Sequence, residues 1–262
     1  MFVDSHCHVD FAPPEERRGI IARAVAAGVG VMLNVSASRQ SWDDAVGLAN
    51  SDTHVFAAVG VHPEEVEDAA DLVPAEKILS YLKSSKKIVA IGETGLDYHY
   101  ENFDGDLQEA NFRAHIGAAR AAGLPVIIHN RDSDADMLRI LADEMKRGAF
   151  KGVLHCFSSD ENMARAVLDM GLVVSASGII TFPKAEALRA VFGSVPLGKI
   201  LIETDSPFLA PVPNRGKPNE PAFVVEVAKK LAEIKDVPLA EIERATTKNF
   251  KEYFGLGGLG GP

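Results

Sequence analysis

Short apolar runs recur along the chain at 2–6, 31–35, 55–61, 88–92, 125–129, 152–155, 172–175 and 199–203. They are nearly continuous in hydrophobicity rather than alternating, the pattern expected of strands covered on both faces. Between them lie amphipathic segments rich in Ala, Leu and Glu, at 15–27, 107–122, 133–146, 161–170 and 185–192. Gly28, Gly123, Gly148 and Gly171 stand where helical segments end, as glycine does at helix C-termini. This alternation implies right-handed βαβ units and a parallel sheet. Eight such units in about 250 residues predict an α/β protein, a (β/α)8 TIM barrel. A doubly wound open sheet is the alternative, but no Gly-rich phosphate fingerprint follows the first strand. One barrel domain is expected over 1–254. Within it, 211–221 reads as a Pro- and Gly-rich loop and 239–254 as a further helix, and 255–262 reads as a flexible Gly-rich tail.

Composition narrows the function classes. The 262 residues are 47% hydrophobic and 24% charged, enough for a large core. With 27 basic and 37 acidic residues the net charge is −10. That argues against a broad basic surface for duplex DNA, while leaving room for a local cationic pocket. Two cysteines, Cys7 and Cys156, form no disulfide framework, so a reducing cytoplasm is expected. No apolar run approaches the roughly 20 residues that span a bilayer, so no membrane partner is expected. A monomer is compatible with these numbers, which fix no oligomeric state.

The polar residues of interest occur where apolar runs finish. His6 and His8 lie two residues apart at the end of the first run, so on a strand their imidazoles share one face. His62, Glu93, His129, His155 and Asp205 end the third, fourth, fifth, sixth and eighth runs. In a barrel these are positions of the C-terminal rim, where catalytic groups collect. A solitary histidine there is usually an ordinary hydrogen-bonded loop residue. Such histidines together with Glu93 and Asp205, on six different strands, form a donor set suited to Zn²⁺, Mn²⁺, Ni²⁺ or Mg²⁺. Glu93, having two oxygens, is the candidate to bridge two ions. By parity Asp4 shares a face with His6 and His8, and Glu203 with Asp205. Asp4 reads as support behind the ligands and Glu203 as an extra ligand, unless either bends outward at its strand end.

Longer motifs carry a resemblance. Val59-Gly60-Val61-His62-Pro63, Ile91-Gly92-Glu93-Thr94-Gly95-Leu96-Asp97-Tyr98, Ile128-His129-Asn130-Arg131-Asp132 and Val153-Leu154-His155-Cys156-Phe157-Ser158 all resemble TatD-type metal-dependent deoxyribonucleases. So do Ile202-Glu203-Thr204-Asp205-Ser206-Pro207 and Asn214-Arg215-Gly216-Lys217-Pro218-Asn219-Glu220-Pro221. The resemblance runs in order from Phe2 to about Phe254 and shows no departure at a ligand position. It implies a TIM-barrel hydrolase of the amidohydrolase-like superfamily with two divalent metal ions, Mg²⁺, Mn²⁺ or Zn²⁺. It further implies that His6, His8, Glu93 and Asp205 hold one ion, and Glu93, His129 and His155 the other. Members resemble nucleases that trim DNA from the 3′ end, and some act on RNA.

A mechanism consistent with both readings uses metal-activated water against a phosphodiester, with Asp205 taking the proton. His62, Arg131 and Arg215 are candidates to hold phosphate. Each has an ordinary alternative: an ion pair with Asp132 or Asp134 for Arg131, a solvated loop charge for Arg215. Tyr98 and His99, after the fourth run, are candidates to touch a base or sugar. Trp42, Phe112, Phe150 and Phe192 read as packing residues, and His54 and His115 as solvent- or helix-face residues. The expected partner is DNA, single-stranded or at a 3′ end, or another phosphodiester. The same centre on the same fold also suits an amide or another ester, such as the aminoacyl ester on tRNA. A non-catalytic metal-binding scaffold is the rival from another class, but structural zinc sites usually close four Cys/His ligands.

Overall fold

The computed structural model describes residues 1–101 and 103–257. Eight strands are β1 (Phe2–Cys7), β2 (Val29–Val35), β3 (Val55–Val59), β4 (Ile88–Asp97), β5 (Val126–Arg131), β6 (Gly152–Leu154), β7 (Val173–Ala176) and β8 (Ile200–Ile202). The α-helices are α1 (Pro14–Ala26), α2 (Trp42–Ser51), α3 (Ala75–Tyr81), α4 (Gly105–Ala122), α5 (Asp134–Arg147), α6 (Glu161–Asp169), α7 (Glu186–Ser194), α8 (Val224–Lys235) and α9 (Leu239–Tyr253). The strands form one sheet in chain order from β1 to β8. Parallel strands joined by helices in that order give the (β/α)8 barrel topology. Among the described residues no helix is long and apolar enough to cross a membrane.

Internal contacts divide the chain into two units. The first comprises Met1–Asn34, His155–Arg165 and the chain from Val173 onward. Here β8 returns to β1: the Asp205 N–H donates to the His6 carbonyl at 2.9 Å and the His8 N–H to the Ser206 carbonyl at 2.8 Å. Asp4 reinforces that seam by accepting from the Thr204 N–H at 2.9 Å and the Thr204 hydroxyl at 2.5 Å. β1 and the segment that follows β8 are therefore tied together by hydrogen bonds between Asp4, His6 and His8 and residues 204–206.

The second unit comprises Val35–Leu154 and Ala166–Leu172. Strands β3 to β6 pair in parallel there, with Ala58 opposite Ala90, Leu96 opposite Asn130 and Ile127 opposite Val153. All ten residues of β4 are buried. The strand outruns the apolar stretch 88–92 because its ladder with β5 continues: Gly95 lies opposite His129 and Asp97 opposite Arg131. Gly95 has φ +149°, and a Cβ there would lie 2.0 Å from the His129 carbonyl oxygen. Only glycine permits that approach of β4 to β5.

Helix ends follow simple chemistry. Asp104 caps α4 by accepting from the Asp106 and Leu107 N–H groups, and Gly123 closes it at φ +69°. Gly28, Gly148 and Gly171, expected at helix ends, also have positive φ. Trp42, Phe112 and Phe192 are fully buried, in line with a packing role. For His115 the helix-face reading holds and the solvent one does not: it is fully buried on α4, its Nδ1–H donating to the Asn111 carbonyl at 2.8 Å. Burial pushes its pKa down to about 4. A helix-face position at the helix–sheet boundary looks the same in sequence as one facing water. Gly255 and Leu256 turn off the end of α9, with the Leu256 N–H on the Lys251 carbonyl at 2.7 Å. The remainder of the expected tail, 258–262, lies outside the described residues.

Candidate metal centre

In the first unit, β1 presents His6 and His8 together. Their Nε2 atoms are 3.1 Å apart, and the carboxylate of Asp205 lies 3.7 Å from one and 3.6 Å from the other. His155, just after β6, stacks its ring on His6 with centroids 4.0 Å apart. Its Nδ1 is 3.4 Å from Glu203 Oε1, which accepts from the Cys156 N–H at 2.7 Å. Donor atoms of His6, His155 and Glu203 all lie within 4.8 Å of one another. His6, His8, His155 and Glu203 are buried. Asp205 and Cys156 both have left-handed backbones, at φ 56° and φ 45°. Non-glycine residues seldom adopt that conformation, and it marks positions held by their surroundings.

Electrostatics differ between the two acids flanking this cluster. Burial pushes Asp205 upward, but the hydrogen bond from His8 and the charges of His6 and His155 outweigh it. The carboxyl is thereby held below the usual carboxylate range. Asp4 goes the other way: burial pushes it up to about 8, against hydrogen bonds from Thr204 and the His6 N–H. Asp4 is thus a strand-linking group rather than one offered to solvent. Burial likewise drives the Cys7 thiol up, and its Sγ contacts the Leu33 carbonyl at 3.3 Å, so it is no nucleophile.

In the second unit, β4 and β5 build another cluster. His129 Nδ1 is 2.8 Å from Glu93 Oε1, and His129 Nε2 is 2.9 Å from Asp97 Oδ2. His62 Nε2 lies 3.3 Å from His129 Nδ1 and 3.5 Å from Glu93 Oε1. Its Nδ1 accepts from the Glu64 N–H, so the neutral ring carries its proton on Nε2. Sequence reasoning gives Asp97 no role, yet here it grips His129. The signal was available, since Glu93, Gly95 and Asp97 share one face of a strand. Burial pushes Asp97 up, but hydrogen bonds from His129 and the His99 N–H, with the His129 and Arg131 charges, hold it low.

The donor set tests whether a cation fits. Glu203 Oε2 is buried and has no hydrogen-bond partner among the described residues. A buried carboxylate oxygen with no donor is costly, and a divalent cation would satisfy it. Imidazole and carboxylate together suit borderline or hard ions. The residues present fit a divalent metal.

A family model described as TatD related DNase matches residues 3–255. The chain belongs to the TatD family. Its relatives include the uncharacterized metal-dependent hydrolase YcfH of Escherichia coli K12, 41% identical over 96% of this chain and 95% of that protein. Another is the uncharacterized metal-dependent hydrolase YabD of Bacillus subtilis, 37% identical over 97% and 99%. The crystal structure of YJJV, a TatD homolog from Escherichia coli K12, is similar at TM-score 0.89 and 28% identity, covering 97% of this chain and 98% of that one. The protein is a metal-dependent hydrolase of the TatD family.

Each substrate candidate of this TatD-family chain has its own surroundings. The Arg131 side chain is 43% exposed; its Nη1 is 3.9 Å from Asp97 Oδ2 and its guanidinium 5.6 Å from the Tyr100 ring centroid. Its ion-pair partner is therefore Asp97, a residue of the cluster, and the group still reaches solvent. Arg215 is exposed, with its guanidinium 3.9 Å from the Phe182 ring centroid. Tyr98 stacks on Phe103 at 4.3 Å and donates its hydroxyl to Asp136 at 3.2 Å. His99 pairs with Asp132 at 2.8 Å. Both Tyr98 and His99 thus already have protein partners.

Proposed function

We propose that this TatD-family hydrolase is a deoxyribonuclease that removes nucleotides from the 3′ end of single-stranded DNA. The observation that carries the reading is the buried Glu203 oxygen without a donor, set among His6 and His155 and beside the His8–Asp205 pair. In this reading His6, His8, Glu93 and Asp205 hold one divalent ion, and Glu93, His129 and His155 a second, with Glu203 as a further ligand. The assignment to two ions rests on the family motifs. Bound ions would supply Lewis acidity at the phosphoryl group and at the attacking water. Asp205, held ionised at neutral pH, accepts the proton of that water. His62 Nε2–H and the exposed Arg131 guanidinium donate to phosphate oxygens. The exposed Arg215 guanidinium is proposed to bind another phosphate of the strand. The net charge of −10 favours a strand threading one pocket over a duplex lying on a wide face. The two cysteines, neither of them in a disulfide, fit residence in a reducing cytoplasm.

The test is hydrolysis of single-stranded oligonucleotides labelled at either end. With Mg²⁺ or Mn²⁺ the 3′-labelled strand should release labelled mononucleotide at once, and the 5′-labelled strand should shorten stepwise. EDTA should stop both. Asp205→Asn or Glu93→Ala should slow turnover by at least about a hundredfold. Metal-dependent turnover of an aminoacyl ester or amide, with intact DNA, would move the protein to another substrate class.

A further inference from the structure

Two exposed phenyl rings stand beside the first-unit cluster, and the proposed chemistry leaves them unused. Phe11 is 47% exposed and Phe208 is 52% exposed. Isolated exposed apolar residues need no explanation, but these two touch: their centroids are 6.3 Å apart at an interplanar angle of 83°. Phe11 stacks on His8 with centroids 4.7 Å apart and planes 19° apart, and Phe208 meets the same imidazole edgewise at 6.4 Å. That imidazole is the one 3.6 Å from Asp205.

The backbone under both rings is pinned. The Phe11 N–H donates to the His8 carbonyl at 3.1 Å, and the Phe208 N–H to the Asp205 carbonyl at 2.9 Å. The buried amide of Asn219 donates to the Phe208 carbonyl at 2.6 Å and the Thr204 carbonyl at 2.8 Å. Both rings are therefore positioned by the same short turns that carry His8 and Asp205. Rings held in place lose little freedom when a ligand stacks on them.

We propose that Phe11 and Phe208 form a nucleobase subsite next to the scissile phosphate. A base lying on one ring meets the edge of the other, because the two planes are nearly perpendicular. Aromatic stacking of this kind is tolerant of base identity, since every base has a π-face. It suits an enzyme that works along a strand. The inference rests on the nuclease reading above and specifies how that substrate is gripped.

The experiment uses single-stranded oligonucleotides with a normal base or an abasic residue at the 3′-terminal or the penultimate position. Wild-type protein should lose about tenfold or more in kcat/KM at one of these abasic positions, mainly through KM. In Phe11→Ala and Phe208→Ala the ratio between base-bearing and abasic substrates should fall towards one. Phe11→Tyr and Phe208→Trp should retain it. DNA turnover with no abasic penalty at either position would overturn the subsite and leave the nuclease reading standing. Absence of metal-dependent turnover of any oligonucleotide would overturn both.

Discussion

Asp97 shows what one carboxylate can do to an imidazole. Its Oδ2 takes the Nε2 side of His129, which turns Nδ1 towards Glu93. If His129 holds an ion through Nδ1, Asp97 fixes both the tautomer and the ring angle. Asp97→Asn replaces one acceptor oxygen by an N–H donor. It should weaken Mn²⁺ binding by about 10- to 100-fold in a calorimetric titration. An affinity within twofold of wild type would deny Asp97 this role. His115 makes a separate point about pH. Its pKa drops from 6.5 to about 4 on burial, so between those values the unfolded chain binds a proton that the folded one refuses. Stability from this group is complete above pH 6.5 and is lost as pH falls towards 4, by up to about 3 kcal/mol. Its Nε2 is buried without a partner among the described residues, which is why the charged ring is rejected. Urea denaturation at pH 7 and pH 5 should show a smaller difference in His115→Gln than in wild type. Equal differences would assign the pH dependence elsewhere.

At the scale of elements, β4 carries the most constraint per residue. Gly95 permits close contact with the His129 backbone, and its φ of +149° is open to glycine alone. Gly95→Ala should therefore cost more than about 3 kcal/mol in chemical denaturation and lower metal binding with it, because Glu93, Asp97 and His129 hang on the same ladder. A cost below 1 kcal/mol would mean that β4 shifts without harm. The same strand marks the limit of what could be read from sequence. Strands buried on both faces appear as apolar runs, so all eight were legible, and the helix-ending glycines were too. The last five residues of β4 were not, because Glu93, Thr94 and Asp97 break the apolar run although the strand continues, fully buried. Helices α3 and α8 also escape the pattern. The first is only seven residues long, and the second follows a Pro-rich loop that obscures where regular structure resumes. At the site, spacing alone paired His6 with His8. It could not reveal that Asp4 turns to Thr204, since a parity rule gives a face and not a partner.

For the molecule as a whole, net charge decides how a polyanionic substrate can be held. A chain of charge −10 repels DNA at long range, so attraction must come from a few local cations. Arg131 and Arg215 are the arginines proposed for that task. For single strands the logarithm of affinity falls with the logarithm of salt concentration at about −0.7 per phosphate contacted. Two contacts predict a slope of about −1.4, or a loss of about sevenfold between 50 and 200 mM salt. A basic groove contacting six to ten phosphates would lose on the order of a thousandfold over the same range. Measuring kcat/KM for a short oligonucleotide across that range, with the divalent metal held constant, separates the two. A shallow slope that flattens further in Arg131→Gln fits a pocket that grips one end of a strand. A steep slope would require a cationic surface that this composition does not provide, and the threading of a single strand into one site would have to be given up.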